Sequence, residues 1–401
     1  MASRIVLHVD NDNYFASVEE KFDPQLKKIP FAICGDPEMR HSVVMAKNTL
    51  AKKAGVITGI SYRQAKQICP ELGYVNADME KYLEQTKLTR EVFRKYSDDI
   101  IPYGLDEAWL SFDATSDSTS ESTFYKEAVQ IADLIRIEIK YSLGLSASVG
   151  VSDNYIFSKI GSDLKKPNSV TLITRENYKD LVWTLPASDL LFVGEKRKRL
   201  LLNAGIFTIG DIAEADPEFM EKLLGKVGHD LWRFANGDDR NFRPNSDRVG
   251  SIGNTITPPA DLRSNDEVIA TLYLLATTVC ARLKKHGLKA GCISIGMRDN
   301  SFNKVIRQRS FKNTSSNVNF IFNQAYALFM RHYTWERPLR SIGIITSSLD
   351  STEQLSLIPD ECETDVDIDS RLKKLTARFG ILKVENSAAI YSGIMQYGRF
   401  H

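Results

Sequence analysis

The chain opens on an apolar run, Ile5, Val6, Leu7 and Val9 around His8, closed by Asp10; the pattern predicts a short buried strand. Residues 13–22, NYFASVEEKF, then repeat apolar positions at helical spacing. Short helices are expected at 48–55 (NTLAKKAG) and 62–70 (YRQAKQICP), stopped by Gly55 and Pro70. From Asp78 onward Met79, Tyr82, Leu83, Val92, Phe93 and Tyr96 keep to a helical period. The segment IPYGLDEAWLSF (101–112) reads as a strand hairpin, followed by a Ser/Thr-rich turn at 115–123 and a long helix over 125–143. Alternation in LSASVGV (145–151) predicts a strand, and NYIFSKIGSDL (154–164) a helix. Strand, helix, hairpin, helix, strand is a βαββαβ order, for which helices on one face of the sheet are expected.

Past KPNSVTLI (166–173) the texture changes to short helices broken by glycine, notably VGEKRKRLLLNAGI (193–206) and LLGKVGHDLWRFANG (223–237). A linker, GDDRNFRPNSDRVG (237–250), leads to another α/β unit. Helices are expected there at 265–287 and 319–333, with strands at 291–299, 304–311 and 339–349. From Ser351 the chain turns polar, then acidic, with Asp360, Glu361, Glu363, Asp365, Asp367 and Asp369 close together; such a block reads as a linker.

At 401 residues there is room for two to four domains, and 43% hydrophobic with 26% charged residues is an ordinary globular balance. The net charge of +1 means that attraction for nucleic acid has to come from local clusters. Five scattered cysteines without a CxxC pair point to neither a zinc site nor a disulfide framework. No apolar span approaches membrane length and the N-terminus lacks a leader pattern, so a soluble cytoplasmic protein is expected.

The chemistry concentrates on three acids. Asp10 ends the first strand, and Asp106 with Glu107 lies in the hairpin. In a βαββαβ sheet these strands are neighbours, so three carboxylates converge on one edge of the sheet. Like charges so close raise one another's pKa unless a cation joins them, and oxygen-only ligation suits a hard ion such as Mg2+. An isolated Asp-Glu pair is most simply a pair of solvated turn residues; the addition of Asp10 weakens that reading.

HVDNDNYFASVEE (8–20), LDEAWLSF (105–112) and SASVGVSDNYIFSKIGSDLKKPNSVTLI (146–173) together resemble the Y-family of translesion DNA polymerases, in its DNA polymerase IV (DinB-like) branch. The resemblance runs in order from about Ile5 to Leu349. It implies an α+β multidomain right-hand polymerase. The palm would take 1–14 and 78–167 as a βαββαβ, ferredoxin-like sheet, the fingers 15–77 and a helix-hairpin-helix thumb 168–238. A linker at 239–246, an α/β little finger over 247–350 and a clamp-binding tail from 351 to 401 complete it. The implied activity is template-directed, low-fidelity translesion synthesis from dNTPs on primer-template DNA, in a monomer.

The same resemblance implies that Asp10, Asp106 and Glu107 are catalytic and, with the Asn11 backbone carbonyl, hold two Mg2+ ions, for which Mn2+ can substitute. Phe15 matches the steric gate against a ribose 2′-OH. Tyr14, Phe15, Thr49, Lys52 and Lys166 fall at nucleotide-contacting positions, and Lys159 near the primer end. Three places depart from the pattern: Ala46, Thr49 and Lys52 stand where Ser/Thr, Tyr and Arg are usual, Gly104 replaces the serine before the acids, and Phe192 replaces a glycine. The weaker fingers leave a second reading, a same-fold relative with poor catalysis that acts mainly as a DNA- and clamp-binding factor.

Gly194, Gly225 and Gly228 sit in the two glycine segments, where helix-hairpin-helix turns offer backbone N–H groups to DNA phosphates, with Lys196 and Lys198 as counter-charge. Nine Lys/Arg against one acid between Arg282 and Lys312 mark a phosphate-tracking surface, to which Arg307 and Arg309 are assigned by strand alternation; Arg248 lies just ahead of it. In EQLSLIPDE (353–361), Leu355, Leu357 and Ile358 are apolar anchors in a polar tail and, with Gln354, resemble the family's sliding-clamp-binding motif, with Ile358 where phenylalanine is usual.

Overall fold

The computed structural model describes residues 4–37, 42–113, 121–240, 242 and 249–351. The expected DNA contact Arg248 and the clamp-motif residues Gln354, Leu355, Leu357 and Ile358 lie outside the described residues. The chain divides into two compact units, Met1–Ser246 and Asp247–His401.

The first unit begins with β1 (Arg4–Asn11), α1 (Tyr14–Phe22) and β2 (Phe31–Cys34). Next come β3 (Ala46–Lys47), α2 (Thr49–Lys53), α3 (Tyr62–Ile68) and β4 (Gly73–Asn76). After α4 (Met79–Arg94) the hairpin β5 (Asp99–Tyr103) and β6 (Glu107–Asp113) leads into α5 (Glu121–Glu138). β7 (Ala147–Ser152), α6 (Tyr155–Leu164) and β8 (Val170–Leu172) close the sheet, whose order is β5-β6-β1-β7-β8. β8 runs parallel to β7 through the α6 crossover and adds a strand to the expected four. β2, β3 and β4 form a small sheet of their own, which alternation too short to read had hidden.

The helices within the βαββαβ order pack on one face as expected, and α6, which follows that order, covers the other. Ile5, Leu7 and Val9 of β1, with Ala147, Val149 and Val151 of β7, face a core built with α1, α4 and α5. The other parity, Val6, His8 and Asp10, faces α6. There Gly150 lets the helix come so close that a Cβ on it would sit 1.8 Å from the Ser158 carbonyl oxygen. Trp109 is fully buried on this side and its indole N–H donates to the Tyr155 carbonyl at 3.0 Å. Burying a ring of that size contributes roughly 4–6 kcal/mol. α6 starts where Asn154 accepts the Phe157 N–H at 2.8 Å, an N-cap that fixes the helix relative to the end of β7.

Helices α7 (Glu195–Asn203), α8 (Ile209–Glu214), α9 (Pro217–Leu224) and α10 (Lys226–Ala235) share a separate core with Ile156, Phe157 and Ile160 of α6. The expected linker starts late. Asp239 accepts the Tyr155 N–H at 2.8 Å and pairs with Arg4 at 3.2 Å, and the Phe242 ring packs edge-on against Trp109, Tyr155 and Phe234.

In the second unit β9 (Ser251–Ile256) precedes α11 (Asn265–Lys285), β10 (Lys289–Asp299), β11 (Lys304–Ser315), α12 (Val318–His332) and β12 (Leu339–Asp350). The antiparallel sheet has the order β11-β10-β12-β9. α11 and α12 cover one side of it through a core that includes Ile293, Ile295, Ile342 and Phe329. The helices and three strands match the spans read from periodicity; β9 does not show in the pattern, because Gly253, Asn254 and Thr255 interrupt its apolar alternation.

Candidate active site

Asp10 and Glu107 stand directly opposite each other in the β1–β6 register, so their side chains leave the sheet on the same face. Both lie towards α6. His8, two residues before Asp10, shares that face, and ligand atoms of His8, Asp10 and Glu107 all lie within 4.8 Å of one another. Asp106 is not a member of that group. It sits in the turn before β6, where its carbonyl accepts the Asn11 N–H at 2.9 Å. Gly104 makes this turn possible: its φ of +83° is strained for any side chain, which accounts for a glycine where serine was expected. The Asn11 side chain is buried, and neither of its amide atoms has a hydrogen-bond partner among the described residues.

Burial dominates the electrostatics. It pushes the Asp10 carboxyl up to about 7, with the Glu107 charge adding to the rise and Lys166 opposing it. Asp106 is raised for the same first reason, burial, with a further push from Glu107. Burial works on Glu107 too, but the His8 contact and the Lys159 charge outweigh it and hold that carboxyl at about 2. His8, fully enclosed, is pushed down to about 4 by desolvation and is neutral at pH 7. The site thus has one acid fully charged and two held towards the neutral form, an arrangement that favours a cation.

Both lysines assigned by resemblance reach the acids. Lys166 bridges Asp10 and Asp163, 2.7 Å from each, and Lys159 pairs with Glu107 and lies 5.3 Å from the centre of the Tyr103 ring. Burial alone would lower Lys166, yet its two carboxylate partners raise it above the usual lysine range. Asp12, to which sequence reasoning gave no role, is a strut. Its carboxylate takes the Ser148 hydroxyl and the Asn168 N–H, each at 2.8 Å, and so ties the loop bearing Lys166 to the ends of β1 and β7.

Phe15, the expected gate, is half-buried at the start of α1, its ring edge-on to Tyr82 at 4.9 Å. Tyr14 differs from expectation: it is buried, and its hydroxyl donates to the Tyr82 carbonyl at 2.6 Å and meets Thr86 at 2.8 Å, so the phenol belongs to the core. Asn13, in left-handed backbone, donates to the Thr49 hydroxyl at 3.2 Å and so links the entry of α1 to α2. Lys52 is exposed on α2. Lys47 binds the Thr58 hydroxyl at 3.0 Å and is lowered by burial, with Lys52 repelling it.

The glycine segments divide. Gly194 caps α7 with open space around it, and Lys196 and Lys198 follow on that helix. Gly225, at φ +71°, makes the turn between α9 and α10. Gly228 is not a free turn glycine. It is buried inside α10, its N–H is taken by the Gly225 carbonyl at 2.7 Å, and a Cβ would come within 1.9 Å of the Met220 carbonyl oxygen. Its part is to let α9 and α10 touch. A groove of about 470 Å³ between α6 and residues 188–197 is lined by Lys159, Asp163, Phe192 and Arg197, the last donating to the Phe192 carbonyl at 2.8 Å.

On β11, Arg307 and Arg309 do share a face. It is the helix side of the sheet, opposite Ile295 and Ile293 and in line with Val305 and Phe311. As residues of an edge strand both arginines remain exposed, while Lys304 and Gln308 point the other way beside Arg298 and Ser294.

Residues 9–163 match the impB/mucB/samB family, and residues 249–357 match its C-terminal domain. The DNA polymerase IV of Acetivibrio thermocellus is 38% identical over 95% of this chain and 96% of its own length. That of Streptococcus mutans is 32% identical over 90% and 97%. A solved Y-family DNA polymerase chimera superposes with a TM-score of 0.76 at 24% identity, covering 87% of this chain and all of the chimera. The chain belongs to the Y-family of DNA polymerases, in the DNA polymerase IV branch, and is a DNA-directed DNA polymerase.

Proposed function

We propose that this chain performs translesion synthesis at low fidelity, joining dNTPs to a primer 3′-OH at the carboxylates of Asp10, Asp106 and Glu107. The observation that carries this reading is the register pairing of Asp10 with Glu107 on one face, with Asp106 in the adjoining turn. Oxygen donors and a buried Asp10 carboxyl raised to about 7 fit a hard divalent cation, so these residues and the Asn11 carbonyl would hold Mg2+ or Mn2+. When bound, such ions supply charge stabilisation of the attacking and leaving oxygens in phosphoryl transfer.

The protein's own groups position the rest. Lys166 is a point charge suited to triphosphate oxygens, and Asp12 holds the loop that carries it. Phe15, its ring edge-on to Tyr82, would be the flat ring that excludes a ribose 2′-hydroxyl. On this reading the first unit would hold palm, fingers and thumb, with DNA phosphates near Lys159 and α7, and the second unit would be the little finger, with Arg307 and Arg309 as its phosphate contacts. A sliding clamp would engage Gln354 to Ile358. Primer extension with Mg2+ and dNTPs tests the reading: template-dependent growth supports it, and tight DNA binding without growth would leave the weakly catalytic, bridging relative instead.

A further inference from the structure

His8 has no part in the activity as proposed above, yet it is fully buried between β1, β6 and α6. Its ring sits edge-on to Trp109 at 4.9 Å, opposite it in the strand register. Nδ1 lies 2.8 Å from the Ser162 hydroxyl oxygen. Nε2 lies 3.1 Å from Glu107 Oε2, close enough to pair but not at a hydrogen-bonding angle. Lys159 pairs with that same oxygen. Oε1 has no hydrogen-bond partner among the described residues.

Ser162 has a single hydroxyl proton and two places to put it: the Lys159 carbonyl at 2.7 Å, or Nδ1 of His8. If the proton goes to the carbonyl, Nδ1–H donates to Ser162 and the bare Nε2 faces a carboxylate oxygen, lone pair to lone pair. If it goes to Nδ1, the imidazole proton sits on Nε2 and a small rotation of Glu107 aligns it with Oε2. Only the second arrangement satisfies a nitrogen that is sealed from water.

We propose that His8 is a positioning residue: with Ser162 fixing its tautomer, it pins Glu107 Oε2 so that Oε1 is presented to a divalent cation. The histidine acts through Glu107 and touches neither DNA nor nucleotide. Partners that orient a ligand typically change metal affinity 10- to 100-fold when removed. The inference rests on the carboxylates being the cation site, and its test separates the two.

The probe is Mn2+ alone, titrated into the full chain without DNA or nucleotide and followed by electron paramagnetic resonance. Asp10→Asn should abolish tight binding; if it does not, the cation-site reading itself fails. His8→Asn keeps an amide near Ser162 but falls short of Glu107, and should weaken Mn2+ by about tenfold and lower kcat with the dNTP KM unchanged. His8→Gln, whose amide nitrogen reaches the place of Nε2, should restore binding to within about threefold. Should His8→Asn not fold, Ser162→Ala removes only the tautomer-fixing hydroxyl and should weaken Mn2+ in the same direction. Wild-type Mn2+ affinity in His8→Asn or Ser162→Ala, or a His8→Gln variant as impaired as His8→Asn, overturns the proposal while leaving the cation site intact.

Discussion

Single residues decide the chemistry of this site through the company they keep. Asp106 lies outside the tight group formed by His8, Asp10 and Glu107, but its turn is bolted to Asn11. Asp106→Ala should reduce primer extension to below roughly 1% of wild type with DNA affinity nearly unchanged, as removal of a charge-stabilising group demands. Steady synthesis by that variant would confine the working carboxylates to Asp10 and Glu107. At Phe15 the argument is steric. A ring braced edge-on by Tyr82 cannot yield without moving the α1–α4 contact, so it should resist an added oxygen well. Phe15→Ala should lower the dNTP-over-rNTP ratio of kcat/KM by about a hundredfold, the scale on which one hydroxyl is rejected by shape. An unchanged ratio would remove the gate from this side chain.

At the scale of elements, α6 is the part on which the site depends. It carries Lys159 and Ser162, leads to the loop of Lys166, and rests on the sheet because Gly150 and Gly161 bring the two backbones together. Gly150→Ala cannot be absorbed by a flexible neighbour, since its Cβ would meet the helix backbone at 1.8 Å. It should cost about 3 kcal/mol or more in urea unfolding and displace the lysines, so that activity falls with stability. Gly296 in β10 is the matched control: a Cβ there meets nothing within 4 Å, so Gly296→Ala should stay within about 1 kcal/mol of wild type. Equal effects at both positions would mean that the close approach of α6 is not what limits the fold.

For the whole molecule, a net charge of +1 conceals basic surfaces on both units, Lys196 and Lys198 on α7 and Arg307 and Arg309 on β11. DNA affinity measured by fluorescence anisotropy should fall steeply with salt. Neutralising any one of these four that binds a phosphate should reduce the log–log slope by about 0.9. A slope that none of the four changes would place the DNA elsewhere. Deleting residues 354–358 should lower clamp-stimulated synthesis without changing synthesis in the absence of the clamp, because a tethered anchor raises effective concentration and leaves the reacting groups untouched.

The sequence by itself determined which acids are present, their spacing, and most helices and strands, because a 3.6- or 2-residue period is a local property that each segment carries alone. Asp10 at a strand end and Asp106-Glu107 at a hairpin were legible for that reason, and so were α11, β10, α12 and β12. What only the tertiary structure decided is which side of each element faces what. Strand alternation put Arg307 and Arg309 on one face but could not say it was the helix side, and glycine spacing could not separate the turn at Gly225 from the packing contact at Gly228. His8 and Asp12 had no sequence signal beyond lying two residues either side of Asp10. Their roles come from Ser162, Ser148 and Asn168, partners more than a hundred residues away that meet them only when β7 and α6 close over β1. Contacts of that kind depend on register and packing between distant segments, which no local period encodes.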